Sequence, residues 1–490
     1  MMLHWIIAAL GLSSSHGYVQ VRVAQNIGFR RSSSNTPLKK NVIRALRPAY
    51  FEPSHTTMSA SVASEDVPPS TEAKKSSSMA SSTFNLAKGI MGAGAIALPG
   101  SVSAIGDVKS AIWPTFAILV VMGCFSAYTF SMIGAECERN NAATFDEAWA
   151  ATVGEKSKWI LSSSLVITTY LACLAYSMII GDLFSALTAS AGATGFLAKR
   201  SVSILGITGI VVVPLCFLKS LAALQYTSIL GVIGVVFTTV VMGIRSMDGS
   251  YLPTGAFFAN LPAFKRPLFD VKGCWKLDEK AFVLISCLST AFLTHFNAPV
   301  FYNELENKSM PRFNKVIASA FSISTLVFAG LIGFGFRTFG ENCLGNILNN
   351  YAATDGLASL CRIAIGFSIV FTYPLAFTGL KNGLLGLLNM DNPTEAQSAI
   401  LTLSTLASIT AGALVLQDLG FVAAITGSLM GSLIIYVFPG LMRLGSLKNF
   451  PATASKGQKV RAWGLVGLGS MLGCVGVTVS ILKQFTNVLA

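Results

Sequence analysis

Apolar runs of about 20 residues recur from Ser82 almost to the C-terminus, each long enough to cross a hydrocarbon core of roughly 30 Å. No other feature limits the fold as strongly. Inside a bilayer every main-chain N–H and C=O must find its partner within the protein, so such runs are α-helices. About eleven spans are read near Ser82–Ile105, Ala111–Ala135, Trp159–Leu187, Val202–Leu218, Leu221–Ile244, Phe282–Tyr302, Val316–Phe336, Leu357–Leu380, Ala399–Leu416, Phe421–Leu441 and Trp463–Leu482. Composition agrees. Hydrophobic residues make up 52% of the chain and charged residues 12%, with a mean hydropathy of +0.63, whereas soluble domains are about a quarter charged. The expected fold class is an all-α polytopic membrane protein, integral and multi-pass, with the lipid bilayer as its partner.

The N-terminal 80 residues differ from the body at 81–490. "MMLHWIIAALGLSSSHG" has an apolar core of signal-peptide length, Trp5 to Leu12. The tract after it is rich in Ser, Arg and Lys and has no acidic residue before Glu52, the composition of an organelle transit peptide. Two readings stand: a two-part leader of the kind that targets secondary plastids, or a cytosolic tail. The net charge of +13 would suit a nucleic-acid partner in a soluble protein. Here the basic residues sit in the tail and the loops, as topology signals, and no nucleic-acid partner is expected. If the tail is cytosolic, the inner loops hold Lys156, Lys158, Lys308, Arg312, Lys315, Arg443, Lys448, Lys456, Lys459 and Arg461. The basic loop Arg245–Lys280 then falls outside, against the charge rule.

Enzyme chemistry finds no support. The chain has no HExxH, GxSxG or Walker-type loop, and His4, His16 and His55 lie in the leader, leaving His295 as the one histidine of the membrane body. No CxxC pair is present, and the cysteines fall mostly singly in apolar runs, so neither a cofactor nor a metal centre is expected. Cys274 and Cys343 fall in outer loops, where a bridge between them is open. The glycines at 464, 467, 469 and 473 read as a close-packing face of the last span.

Two spans look interrupted. "STFNLAKGIMGAGAIALPG" carries an ammonium at Lys88 and small residues from Gly89 to Ala95, with glycines at 92 and 94 that are costly in a helix interior. "LSTAFLTHFNAPVFYNELENKS" sets Thr294, His295, Asn297 and Pro299 in an apolar run, and the proline predicts a break near His295 to Pro299. Helix ends freed inside a membrane attract ligands: N–H groups a carboxylate, carbonyls a cation or an amine. Interrupted helices at the first position of two five-span halves point to an inverted-repeat secondary transporter with its site at the midplane.

"FNLAKGIMGAGAIALPG" resembles the first span of the amino acid/auxin permease family, "HFNAPVFYNEL" its sixth, and "FTYPLAF", with Thr372 and Pro374, its TxP element in the eighth. The resemblance runs from about Ser82 to the end. It implies eleven spans in the five-plus-five fold of the bacterial leucine transporter and the transport of amino acids. The chain departs from both branches of that family. Lys88 stands where the sodium-coupled branch has Asn, and Asn85 where the proton-coupled branch has His.

The expected substrate site is made of Met91, Gly92, Ala93, Gly94, Ala95 and His295: the carboxylate on the N–H groups from Gly92 to Ala95, the amine on carbonyls near Met91 and His295. Lys88 and Thr372 are the expected coupling residues, the ammonium taking the place of a bound sodium; the alternative is that Lys88 snorkels to the interface. A proton is the candidate coupling ion, with His295 either its carrier or a packed, silent ring. The expected function is secondary active or facilitated amino acid transport, as in a symporter, without a strict need for sodium. A carrier of another small solute and a non-transporting amino acid sensor are the alternatives. The compartment is open among plastid envelope, vacuolar and plasma membranes.

Overall fold

The computed structural model describes residues 77–218, 222–390, 392–451 and 455–485. The leader reading lies outside these residues up to position 76. Eight helices among the described residues are long and apolar enough to cross a bilayer. Two shorter apolar helices and a broken segment at Met79–Ala104 bring the spans to eleven.

In chain order, span 1 is the broken segment, span 2 is Ile112–Asn140, span 3 Lys158–Ser190, span 4 Arg200–Cys216 and span 5 Ala222–Met247. Span 6 covers Ala281–Glu304, span 7 Met310–Phe339, span 8 Gly356–Leu387, span 9 Glu395–Val415, span 10 Leu419–Asn449 and span 11 Lys456–Phe485. We call the face where span 1 starts the tail side and the face bearing the 248–280 loop the loop side. Because an odd number of crossings separates them, span 1 leaves the tail side and span 6 leaves the loop side. This is the inverted five-plus-five order expected from the sequence.

Both breaks are real, and their local causes differ. Span 1 is α-helical over Met79–Ile90, turns at Met91 and Gly92, and continues as two short 3-10 helices, Ala93–Ala97 and Pro99–Ala104. Gly92, without a side chain, loses more freedom in a helix than any other residue and takes the extended turn at little cost. Span 6 is helical over Ala281–Ala291 and again over Ala298–Glu304, with a single 3-10 turn at His295–Asn297 between. The break therefore begins a few residues before the expected position. Pro299 sits in the first turn of the second segment, where its missing N–H leaves nothing unsatisfied. Span 8 carries Pro374 in its interior without breaking.

The two broken spans meet at the tail side, where the Ser77 N–H donates to the Glu304 carbonyl (2.7 Å) and the Glu306 N–H to that of Ser77 (3.0 Å). Span 10 backs span 6 through an eleven-residue π-helical stretch, Gly427–Val437, whose Gly427 lies too close to the Ser286 carbonyl to admit a Cβ. Gly469 of span 11 packs against Tyr436 and Val437 in the same way, whereas Gly464 and Gly467 face open space, so the expected glycine packing face is only partly used. Cys274 is exposed and Cys343 buried, both as free thiols, and Cys343 donates to the Gly335 carbonyl at 3.5 Å, so the open bridge is not made.

Candidate substrate site

At the break in span 1 the hydrogen-bond ladder changes register. The Met91 N–H still reaches the Ala87 carbonyl at 2.9 Å, but that of Gly92 turns to Ile90 at 2.8 Å. The Lys88 carbonyl thereby loses the donor that a continuous helix would have given it. Gly92 is extended, with φ −87° and ψ −170°, and a Cβ placed on it would meet nothing within 4 Å. The backbone is bare here because it borders a cavity of about 440 Å³.

Five spans wall this cavity: span 1 with Lys88, Met91 and Gly92, span 3 with Tyr176, span 5 with Val232, span 6 with Asn297 and Phe301, and span 8 with Ser368 and Thr372. Lys88 is the one charged side chain in the wall, and no carboxylate lines it. Among the described residues its ammonium makes no ion pair. A half-buried cation facing hydroxyl groups and open main chain is suited to a small anion or zwitterion.

The expected site residues divide. Lys88, Met91, Gly92 and Thr372 come together on the cavity. Gly94 turns away, toward span 6, where a Cβ added to it would lie 3.3 Å from the Thr290 methyl, and Ala95 is fully buried. Ala93 opens the 3-10 turn between them. His295 lies on the far side of span 6, fully buried. Its Nε2 is 3.0 Å from both the Thr129 Oγ1 and the Ser126 carbonyl of span 2, and Phe130 meets its ring edge-on at 5.6 Å. It joins two helices and does not reach the cavity lining. Phe292 stacks on Phe321 and packs against Phe328, so it too belongs to helix packing.

On the tail side exposed Asn85 and Val300 line the cavity. The loop side is closed. Ala95, Ile96, Ala97 and Leu98 are almost completely buried, and two groups of buried charges seal the span ends beyond them. Asp355, at the start of span 8, accepts from Arg245 Nε (2.9 Å) and Nη2 (2.8 Å) and from the Tyr251 hydroxyl (2.9 Å) while capping Leu357 and Ala358. Burial and the adjoining Asp355 carboxylate hold the Tyr251 phenol well above its usual range, so it stays a donor. Arg362, about two turns further along span 8, gives its guanidinium to the carbonyls of Leu348 and Tyr351 at 2.9 and 2.7 Å. Asp182 of span 3, buried, pairs with Arg200 of span 4 at 2.6 Å and accepts from Asn346 at 3.2 Å. On the tail side buried Glu136 holds Arg443 at 2.7 Å, tying span 2 to span 10. Nothing comparable joins spans 1, 5 and 8 there, among the described residues.

Reasoning from sequence missed Tyr176, Ser368 and Asn297 in the wall and Arg362 in the seal. Arg362 had a signal of its own, since a charge within an apolar span is expensive and seldom idle.

Comparison with known proteins agrees with the geometry. The profile of the transmembrane amino acid transporter protein family matches residues 75–482. The chain is 27% identical over 391 residues to vacuolar amino acid transporter 2 of Saccharomyces cerevisiae, covering 75% of this chain and 76% of that one. It is 25% identical over 417 residues to amino acid transporter AVT6E of Arabidopsis thaliana, covering 80% and 81%. Among solved structures, a manganese transporter from Eremococcus coleocola shares the fold at a TM-score of 0.50 and 12% identity, over 87% of this chain and 91% of that one. With a broken-helix core and a family match over most of its length, this chain belongs to the transmembrane amino acid transporter family.

Proposed function

We propose that the protein carries a small amino acid through the span 1–3–5–6–8 cavity by alternating access, and that the structure is a state open to the tail side. One observation supports this above the others: the break of span 1 exposes main chain and a lone ammonium to one cavity that contains no carboxylate. The substrate carboxylate is placed against Lys88 and the Gly92 main chain, its amine against freed carbonyls near Met91 and the hydroxyls of Ser368 and Thr372. His295 is left out of the contact set, because it is spent on span 2.

In this reading Lys88 supplies the positive charge that a sodium ion would otherwise bring, so uptake does not require sodium, and a proton is the coupling ion. Reconstituted liposomes offered a panel of labelled amino acids under imposed pH or sodium gradients test both parts. Uptake driven by a pH gradient alone is the expected result; a strict sodium requirement refutes the role of Lys88, and absence of any flux refutes the carrier. We further infer an internal membrane, since the yeast relative is named for the vacuole and the leader has an organelle-type composition. A C-terminal fluorescent fusion in native cells checks it.

A further inference from the structure

We propose that the groove where spans 2, 5 and 7 end on the loop side binds one anionic glycerophospholipid. The groove encloses about 850 Å³ and is independent of the substrate cavity, with which it shares no lining residue. Two basic residues form its rim, Lys109 just before span 2 and Arg337 in the last turn of span 7. Both are exposed, and among the described residues neither pairs with a carboxylate. The Lys109 ammonium rests over the Phe269 ring, 5.2 Å from its centre, which keeps it at the rim without neutralising it. Arg245 also reaches the groove, but its guanidinium is committed to Asp355 and Asp248. No acidic side chain lines the groove.

Below the rim the chemistry changes. Trp113, 72% exposed, stands at the start of span 2, the depth at which indoles settle between headgroups and acyl chains. The trough beneath it is walled by Phe116 and Phe334 and by the main chain at Gly330 and Gly333 of span 7, against which the Thr239 methyl and the Phe116 ring pack. Cations above, an indole at the boundary and an apolar trough below match the order of parts in a lipid. A water-soluble anion would satisfy the rim and leave the trough bare. A zwitterionic lipid would bring its own ammonium against two unpaired cations, whereas a net negative headgroup answers both. The lipid would hold the loop-side ends of three spans together beside Arg245.

The test uses the purified full chain in detergent, titrated separately with dioleoylphosphatidylglycerol, dioleoylphosphatidylcholine and inorganic phosphate, read by native mass spectrometry and by melting midpoint. One phosphatidylglycerol should stay bound per chain and raise the midpoint, with phosphatidylcholine weaker and phosphate without effect. In the Lys109→Gln/Arg337→Gln double variant the affinity should fall roughly 25-fold, about fivefold for each basic residue near a charged headgroup. Equal retention of the two lipids by the wild type overturns the proposal without any variant. So does a folded double variant that keeps phosphatidylglycerol as well as the wild type, or a midpoint shift that phosphate alone reproduces.

Discussion

The two broken spans start from similar sequence problems and end in opposite states. In span 1 the break is empty: Gly92 points a missing side chain into open space, and the ladder is left with a carbonyl to spare. In span 6 the break is filled: His295 turns out of it and binds span 2 through Thr129 and Ser126. A membrane helix can thus be interrupted to receive something or to hold something. The residue types announce which, since small residues leave room and a large polar ring needs partners.

The sharpest way to break this comparison is His295→Ala. It should cost about 3 kcal/mol of stability, from an emptied buried volume and unpaired groups on span 2, read as loss of folded protein in fluorescence-detected size exclusion. Whatever folds should keep the pH profile of uptake; a lost pH response would give His295 a transport role. Next is Gly92→Leu. A Cβ there meets nothing within 4 Å and the residue lines the cavity, so uptake should drop roughly 100-fold, as a displaced substrate does, with the melting midpoint little changed. A stability loss equal to that of His295→Ala would erase the distinction between the breaks. Lys88→Asn sharpens it: sodium should begin to stimulate uptake by about tenfold, within the usual range of coupling between sites, and an unaltered ion response counts against the charge-replacement role. The smallest effect belongs to Gly94→Ala. Its new methyl would sit 3.3 Å from the Thr290 methyl on span 6, which should cost about 1 kcal/mol or less and leave the substrate affinity alone.

Much of this was legible in the sequence, for reasons that also mark its limits. Eleven spans follow from length and apolarity, because a bilayer permits few other solutions. The span 1 break was legible in its glycines, and the cavity positions of Lys88 and Thr372 in the resemblance of their motifs. Gly94 and His295 were assigned to the site because adjacency in sequence suggested adjacency in space. In a 3-10 segment each residue is rotated by about 120° from the one before it, and in those segments Gly94 faces span 6 and His295 faces span 2. Tyr176 and Ser368 lie among several other polar residues of their long spans, with no periodic mark to lift them out. The loop-side seal was hidden more deeply, since Arg245 and Asp355 are 110 positions apart and loops carry no repeating pattern to align them.

That seal has a kinetic meaning. Asp355 draws donors from the end of span 5, the loop behind it and the first turn of span 8, so it cannot be loosened from one without exposing a bare negative charge to the rest of a dry pocket. Half-measures are penalised as heavily as full release. The lid on that face should lift as one piece, and the molecule should spend very little of its working cycle ajar.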